Sequence, residues 1–252
     1  MKGDKTMKNI SILGVKIHPL TMEETVEVIE EHFIKTQKPL HLMGVNADKI
    51  NQCIDDPEMM DIVNNCDIVN ADGASVVLAG KYLGIDIPKR VAGIDLMQKL
   101  LTLSEKKGYT VYFFGAKEEV VQKMLSAFKV DYPNLKVVGY RNGYFKDDEI
   151  DAISQDIASK APQLVFVGIT SPKKEILIER FMRDGVNSIF MGVGGSFDVL
   201  SGTIKRAPIW MQKAHLEWLF RVANEPRRLF KRYFVGNFVF IKRIVKAKKE
   251  KK

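Results

Sequence analysis

Cysteine is scarce in this chain, and so are the signatures of metal binding, secretion and a membrane span. Only Cys53 and Cys66 occur in 252 residues, thirteen apart, with no Cys-x-x-Cys and no histidine at ligand spacing. That excludes a disulfide framework and a zinc knuckle, and predicts buried free thiols in a reducing compartment. The four histidines, His18, His32, His41 and His215, are scattered, each better read as packing or surface than as catalyst. Met1–Asn9 is polar and lacks the apolar core of a signal peptide. Acid is missing from one region above all. Pro226–Lys252 holds eleven Lys and Arg against one acid, Glu250, which leaves 28 bases and 30 acids over the other 225 residues. The formal charge of +8 therefore belongs to the tail and not to the body.

The body alternates short apolar runs with amphipathic stretches, without repeats. Strands are predicted at Leu40–Val45, Asp67–Asn70, Thr110–Phe114, Lys136–Tyr140, Leu164–Ile169 and Ser188–Val193, after an opening strand pair in Ile10–Ile17. Helices fall between them, with Asn46 as an N-cap and Pro172 at a helix N1 position. A single helix is expected over Pro208–Val222, with Asn224 capping the next. Strands separated by helices predict an α/β fold: a Rossmann-like, mostly parallel sheet with helices on both faces. The division expected is a core over 8–200 and a helical, basic appendage over 201–252.

Wound as a helix at about 100° per residue, the tail separates two chemistries. Arg228, Lys231, Arg232, Lys242, Arg243, Lys246 and Lys249 share an arc of roughly 120°. Leu229, Phe230, Tyr233, Phe234, Phe238, Phe240, Ile241, Ile244 and Val245 lie opposite. Its longest uncharged stretch, Tyr233–Ile241, has nine residues, far short of the about 20 that span a bilayer. An anionic membrane surface, met through Leu229–Lys252, suits this composition. Nucleic acid does not, because phosphates offer nothing to the apolar face. The plainer alternative is that the apolar face packs on the body, and Gly236-Asn237 is a place where the helix could break.

In a parallel sheet, ligands bind beyond the carboxyl ends of the strands, and the polar loops here follow strands. Gly192-Val193-Gly194-Gly195-Ser196 lets backbone amides approach an anion, yet lacks both the Walker A ending and a complete GxGxxG. Asp72 precedes Gly73 directly after a strand. On local chemistry it is more readily a turn or cap than a carboxylate placed to take a proton from a hydroxyl. Asp48, Asp95 and Asp198 read as caps. Arg90, Lys173, Lys174, Lys205, Arg206 and Arg221 supply cations in loops or at helix starts. Breaking a diphosphate bond without a metal needs such cations for the leaving group, and no carboxylate cluster resembles a metal cage. Trp210 and Trp218, eight apart on one expected helical face, read as core.

Taken in order, these stretches resemble the WecG/TagA/CpsF family of bacterial glycosyltransferases, over roughly Ile10 to Phe240. The motifs carrying the resemblance are Asn46-Ala47-Asp48, Ala71-Asp72-Gly73, Arg90-Val91-Ala92-Gly93-Ile94-Asp95, Asn142-Gly143-Tyr144-Phe145 and Gly192–Asp198. Gly202–Trp210, Leu216-Glu217-Trp218 and Glu225-Pro226-Arg227-Arg228 complete the set. The sequence departs from the family pattern at Gly44, Ser75, Lys174 and Lys231, which leaves the donor sugar open. The resemblance implies an inverting, metal-independent and cofactor-free transfer of N-acetylmannosamine or a related hexose. The donor would be a UDP-sugar, and the acceptor a GlcNAc carried on a polyprenyl diphosphate for teichoic acid, capsule or a similar polymer. It implies Asp72 as general base, Arg221 and Arg228 as neutralisers of departing UDP, and Asn46, Arg90, Lys173, Lys174, Gly192, Gly194, Gly195 and Arg206 as substrate-binding groups. It also implies a cytoplasmic protein lying on the inner face of the membrane and allows a homo-oligomer. Rival readings are a nucleotide-dependent oxidoreductase using a glycine loop, and a membrane-binding scaffold without catalysis.

Overall fold

The structure, a computed structural model, describes residues 8–35 and 38–250, with backbone alone at 32–35, 228 and 232. Strands β1 (Ile10–Ile12) and β2 (Val15–Ile17) form an antiparallel hairpin whose two-residue turn, Leu13-Gly14, has φ of 53° and 85°. The main sheet contains β3 (Leu40–Val45), β4 (Ile68–Ala71), β5 (Thr110–Gly115), β6 (Lys136–Arg141), β7 (Leu164–Gly168) and β8 (Ile189–Gly192). Their order is β4-β3-β8-β7-β5-β6, and the β3–β8, β8–β7, β7–β5 and β5–β6 pairs are parallel. The helices are α1 (Met22–Lys35), α2 (Ala47–Asp55), α3 (Pro57–Asn65), α4 (Ala74–Leu83), α5 (Gly93–Lys107) and α6 (Glu118–Asp131). After them come α7 (Ile150–Lys160), α8 (Lys173–Arg183), α9 (Ser196–Leu200), α10 (Ile209–Lys213), α11 (Glu217–Asn224) and α12 (Pro226–Glu250). The expected α/β class with a parallel sheet is the one observed.

Packing divides the chain into two compact units, Met1–Met22 with Gly44–Ala92 and Arg206–Lys252, and Glu23–Met43 with Gly93–Lys205. In the second unit β5, β7 and β8 are apolar on both faces, as a covered parallel sheet requires, while the edge strand β6 stays largely exposed. Phe113 on β5 sits in register with Phe166 on β7, and their rings stack at 5.8 Å on one face. The next residue, Phe114, points the other way and meets Phe145 and Phe181.

In the first unit His18, just past β2, ties the hairpin to β4. Its N–H donates to the Val69 carbonyl at 2.7 Å, and Val69 N–H donates to His18 Nδ1 at 2.9 Å. Burial, and then the charge of Lys16, lowers the imidazole pKa from 6.5 to about 4. Folding therefore favours the neutral ring. Between pH 6.5 and 4 the unfolded chain binds the extra proton, so this contribution is complete above 6.5 and is lost as pH falls. The urea midpoint should drop more between pH 7 and 4.5 for the wild type than for His18→Gln. Equal drops would show that the ring does not titrate this way.

Local expectations failed at several places. Pro172, expected at a helix N1 position, is the N-cap of α8, and Asp48 and Asp198 lie within first turns that Asn46 and Gly195 cap. The predicted helix over Pro208–Val222 is two short helices. His215 takes a left-handed φ of 61°, and Leu216 N–H turns back to the Met211 carbonyl, closing α10 as a Schellman-type end. Trp210 and Trp218 thus do not share a helical face. Trp210 is 65% exposed, whereas Trp218 packs against Tyr233 and Phe234. Asn224 ends α11 and donates to the Phe220 carbonyl, and α12 begins at Pro226.

The tail is one unbroken helix of 25 residues. Gly236 does not interrupt it. Its carbonyl accepts from Asn51 Nδ2 on α2 at 2.8 Å. The nine apolar residues do not form a single face either. Leu229, Phe240 and Ile244 are buried, while Phe230, Phe234, Phe238, Ile241 and Val245 stay exposed. Arg243 leaves the basic face for the body, bonding the Asn51 carbonyl and side chain and the Asp55 carboxylate. Lys248 donates to the Tyr82 carbonyl on α4. Among the described residues no helix is long and apolar enough to cross a membrane.

Candidate active site

Strand β4 is short and wholly buried, and the chain leaves it at Asp72-Gly73. The Asp72 N–H donates to the Val45 carbonyl at 2.9 Å, pinning the residue against the end of β3. Contact there is tight: a Cβ on Gly44 would lie 3.0 Å from Asp72 Cβ, and one on Gly73 would lie 2.9 Å from Asn46 Cβ. Asn46 caps α2 as its sequence predicted, accepting the Lys49 N–H at 3.0 Å. Asp72 does not start a helix; Gly73 is the N-cap of α4. Its carboxylate is 31% exposed, so it is both held and reachable.

Arg90 arrives from the loop after α4. Its Nε–H donates to the Asp72 carbonyl, and its Nη2 stands 3.9 Å from Asp72 Oδ1. The same Nη2 donates to Glu217 Oε2 at 3.2 Å. Glu217, in the first turn of α11, also faces Arg206 Nε at 3.6 Å and Arg221 Nη2 at 3.9 Å. Its side chain is only 7% exposed. Asp72, Arg90, Arg206 and Arg221 are thus brought together, and Glu217 joins them although sequence reasoning assigned it no part. Its only signal was an acid in the Leu216-Glu217-Trp218 motif, in a segment otherwise basic and apolar. The Arg228 side chain lies outside the described residues.

In the second unit, Lys174 and the glycine loop come together. A Cβ on Gly192 would sit 2.7 Å from Lys174 Cε, so the lysine stem lies across that glycine, with its Nζ 3.2 Å from the buried Glu175 carboxylate. Gly194 takes a left-handed φ of 50°, and Gly195 precedes α9. Lys173 turns elsewhere: its Nζ stands 4.1 Å from the Phe145 ring centroid and 3.7 Å from Asp147. Backbone amides beside a lysine suit a phosphate. His41 pairs with Glu179 at 3.2 Å, and the interaction holds the Glu179 carboxyl below its ordinary range. Among the described residues no three His, Cys, Asp or Glu side chains gather as a metal site.

A family model described as "Glycosyl transferase WecG/TagA/CpsF family" matches residues 10–252. Two proteins named N-acetylglucosaminyldiphosphoundecaprenol N-acetyl-beta-D-mannosaminyltransferase are similar to the chain. The Bacillus subtilis (strain 168) protein is 30% identical over 227 residues, covering 90% of this chain and 87% of that protein. The Bacillus spizizenii (strain W23) protein is 31% identical over 203 residues, covering 81% and 78%.

Proposed function

The chain belongs to the glycosyl transferase WecG/TagA/CpsF family, and from that premise we propose a substrate, a mechanism and a place of action for this glycosyltransferase. It moves N-acetylmannosamine or a related hexose from a UDP-sugar to a GlcNAc carried on a polyprenyl diphosphate, in the making of a cell-surface polymer. The names of both Bacillus relatives support that acceptor and that sugar. The observation that carries the chemistry is Asp72, fixed by its backbone at a strand end with three arginines gathered nearby.

In this reading Asp72 accepts the proton of the acceptor hydroxyl as its oxygen attacks the anomeric carbon. The bond from that carbon to the UDP oxygen breaks on the opposite side, which inverts the centre, and UDP leaves with the electron pair. Arg206, Arg221 and Arg228 offset the charge that develops on the diphosphate, so neither a metal nor a cofactor is needed. In the second unit Lys174 with the amides of Gly194 and Gly195 is suited to hold a phosphate, and in the first Asn46 and Arg90 fix the Asp72 loop. Lys173, engaged with Phe145 and Asp147, has a lesser part. The exposed apolar residues of α12 beside its lysines support docking on an anionic inner leaflet, where a lipid-linked acceptor resides.

The test is a donor screen: purified protein, a panel of UDP-sugars, and a short-chain lipid-diphosphate-GlcNAc acceptor, with products weighed by mass spectrometry. UDP-N-acetylmannosamine should add one N-acetylhexosamine to the acceptor with chelator present. No mass gain from any donor would overturn the assignment, and a gain only with added divalent metal would overturn the metal-free mechanism.

A further inference from the structure

Glu217 is a buried acid set among three cations. Its carboxylate receives Arg90 at 3.2 Å, Arg206 at 3.6 Å and Arg221 at 3.9 Å, from three separate stretches of sequence. Like-charged guanidinium groups this close repel one another, and a shared carboxylate is what lets them converge. The cluster keeps an excess of positive charge after Glu217 is counted, which suits a dianionic leaving group. Glu217 also sits in the first turn of α11, where the helix dipole favours an acid.

Arg90 has two carboxylates within reach. Its Nη2 is 3.2 Å from Glu217 and 3.9 Å from Asp72, so only the first is a hydrogen bond. A guanidinium paired fully with Asp72 would stabilise the ionised carboxylate and make it a poorer base. Arg90 bears on Asp72 directly, and Arg206 and Arg221 bear on it through Glu217. Asp48, in the first turn of the neighbouring α2, accepts from Gln52.

We propose that Glu217 is a positioning residue: it gathers Arg90, Arg206 and Arg221 and draws the Arg90 guanidinium off the Asp72 carboxylate, so that Asp72 remains a base. The inference rests on the reading of Asp72 as proton acceptor and adds to it a residue that touches neither substrate.

The test pairs Glu217→Gln, which keeps size and removes charge, with Glu217→Asp, which keeps charge on a shorter stem. Asp carboxyls labelled with carbon-13 are titrated by NMR in each protein, with Asp72→Asn identifying the Asp72 signal. In Glu217→Gln the Asp72 pKa should fall by about half a unit or more, because an anion is lost and Arg90 is released to Asp72. Glu217→Asp should stay near the wild type. An unchanged Asp72 titration in a folded Glu217→Gln protein overturns the proposal, whatever the enzyme's activity. With the UDP-sugar and acceptor, kcat for Glu217→Gln should fall about tenfold or more, the donor KM should change less than about threefold, and the acidic limb of the pH profile should move down. A purely structural role would lower thermal stability and activity without moving that limb. A wild type inactive with every donor would sink the transferase reading alone, since the NMR titration is independent of turnover.

Discussion

Replacing Asp72 with Asn should lower turnover by about three orders of magnitude while UDP binding stays within about threefold, because general-base catalysis contributes roughly 10²–10⁴. The structure makes this substitution unusually clean. Asp72 is held by its own main chain: its N–H bonds the Val45 carbonyl, and its carbonyl receives the Arg90 Nε–H. Asparagine keeps both bonds and keeps the Cβ that packs close to Gly44. The loop should therefore stay in place while the proton acceptor disappears. Single-turnover kinetics and UDP calorimetry on the same preparations separate the two effects. Turnover within a few-fold of the wild type would end the base assignment, and equal losses of turnover and UDP binding would point to a collapsed loop.

The second large effect belongs to α12. Changing Phe238, Ile241 and Val245 together to serine should cut partition onto anionic vesicles by about 100-fold. All three side chains are exposed. Burying each partly in the interface is worth about 1 kcal/mol, and about 3 kcal/mol together is roughly that factor. Activity on a short, water-soluble acceptor should remain near the wild type, because the helix is docked by other residues: Leu229, Phe240 and Ile244 within the unit, and Arg243 on Asn51 and Asp55. Sedimentation with vesicles of phosphatidylglycerol, and again at high salt, reads both the apolar and the electrostatic parts. Unchanged partition would assign membrane contact to other residues. Lost activity on the soluble acceptor would show that this ridge serves the site itself.

Parts of the site could be read from local order. Asn46 caps a helix through a bond to a residue three positions on, and Asp72-Gly73 follows an apolar strand, so both were legible. Arg90, Arg206 and Arg221 were recognisable as cations in loops or at helix starts, but nothing local joins all three. Glu217 was missed for the same reason: its meaning depends on partners 127 and 11 positions away in the chain, as well as on its helix neighbour Arg221. The break at His215 was also hidden, since a histidine takes the left-handed position, more often filled by glycine, that closes α10.

The sequence alone determined the α/β alternation, the charged tail, the family pattern and the position of Asp72, because each is written in neighbouring residues and their periodicity. Tertiary structure decided which tail residues face protein and which face solvent. Helical winding makes Phe240 and Phe238 equally apolar, yet packing buries the first and leaves the second exposed. It likewise decided that Arg243 binds the body, and that Arg90 and Arg206 join the helix neighbour Arg221 on one buried carboxylate beside Asp72. Those outcomes depend on which surfaces meet, and a one-dimensional pattern of charge and hydropathy does not specify that.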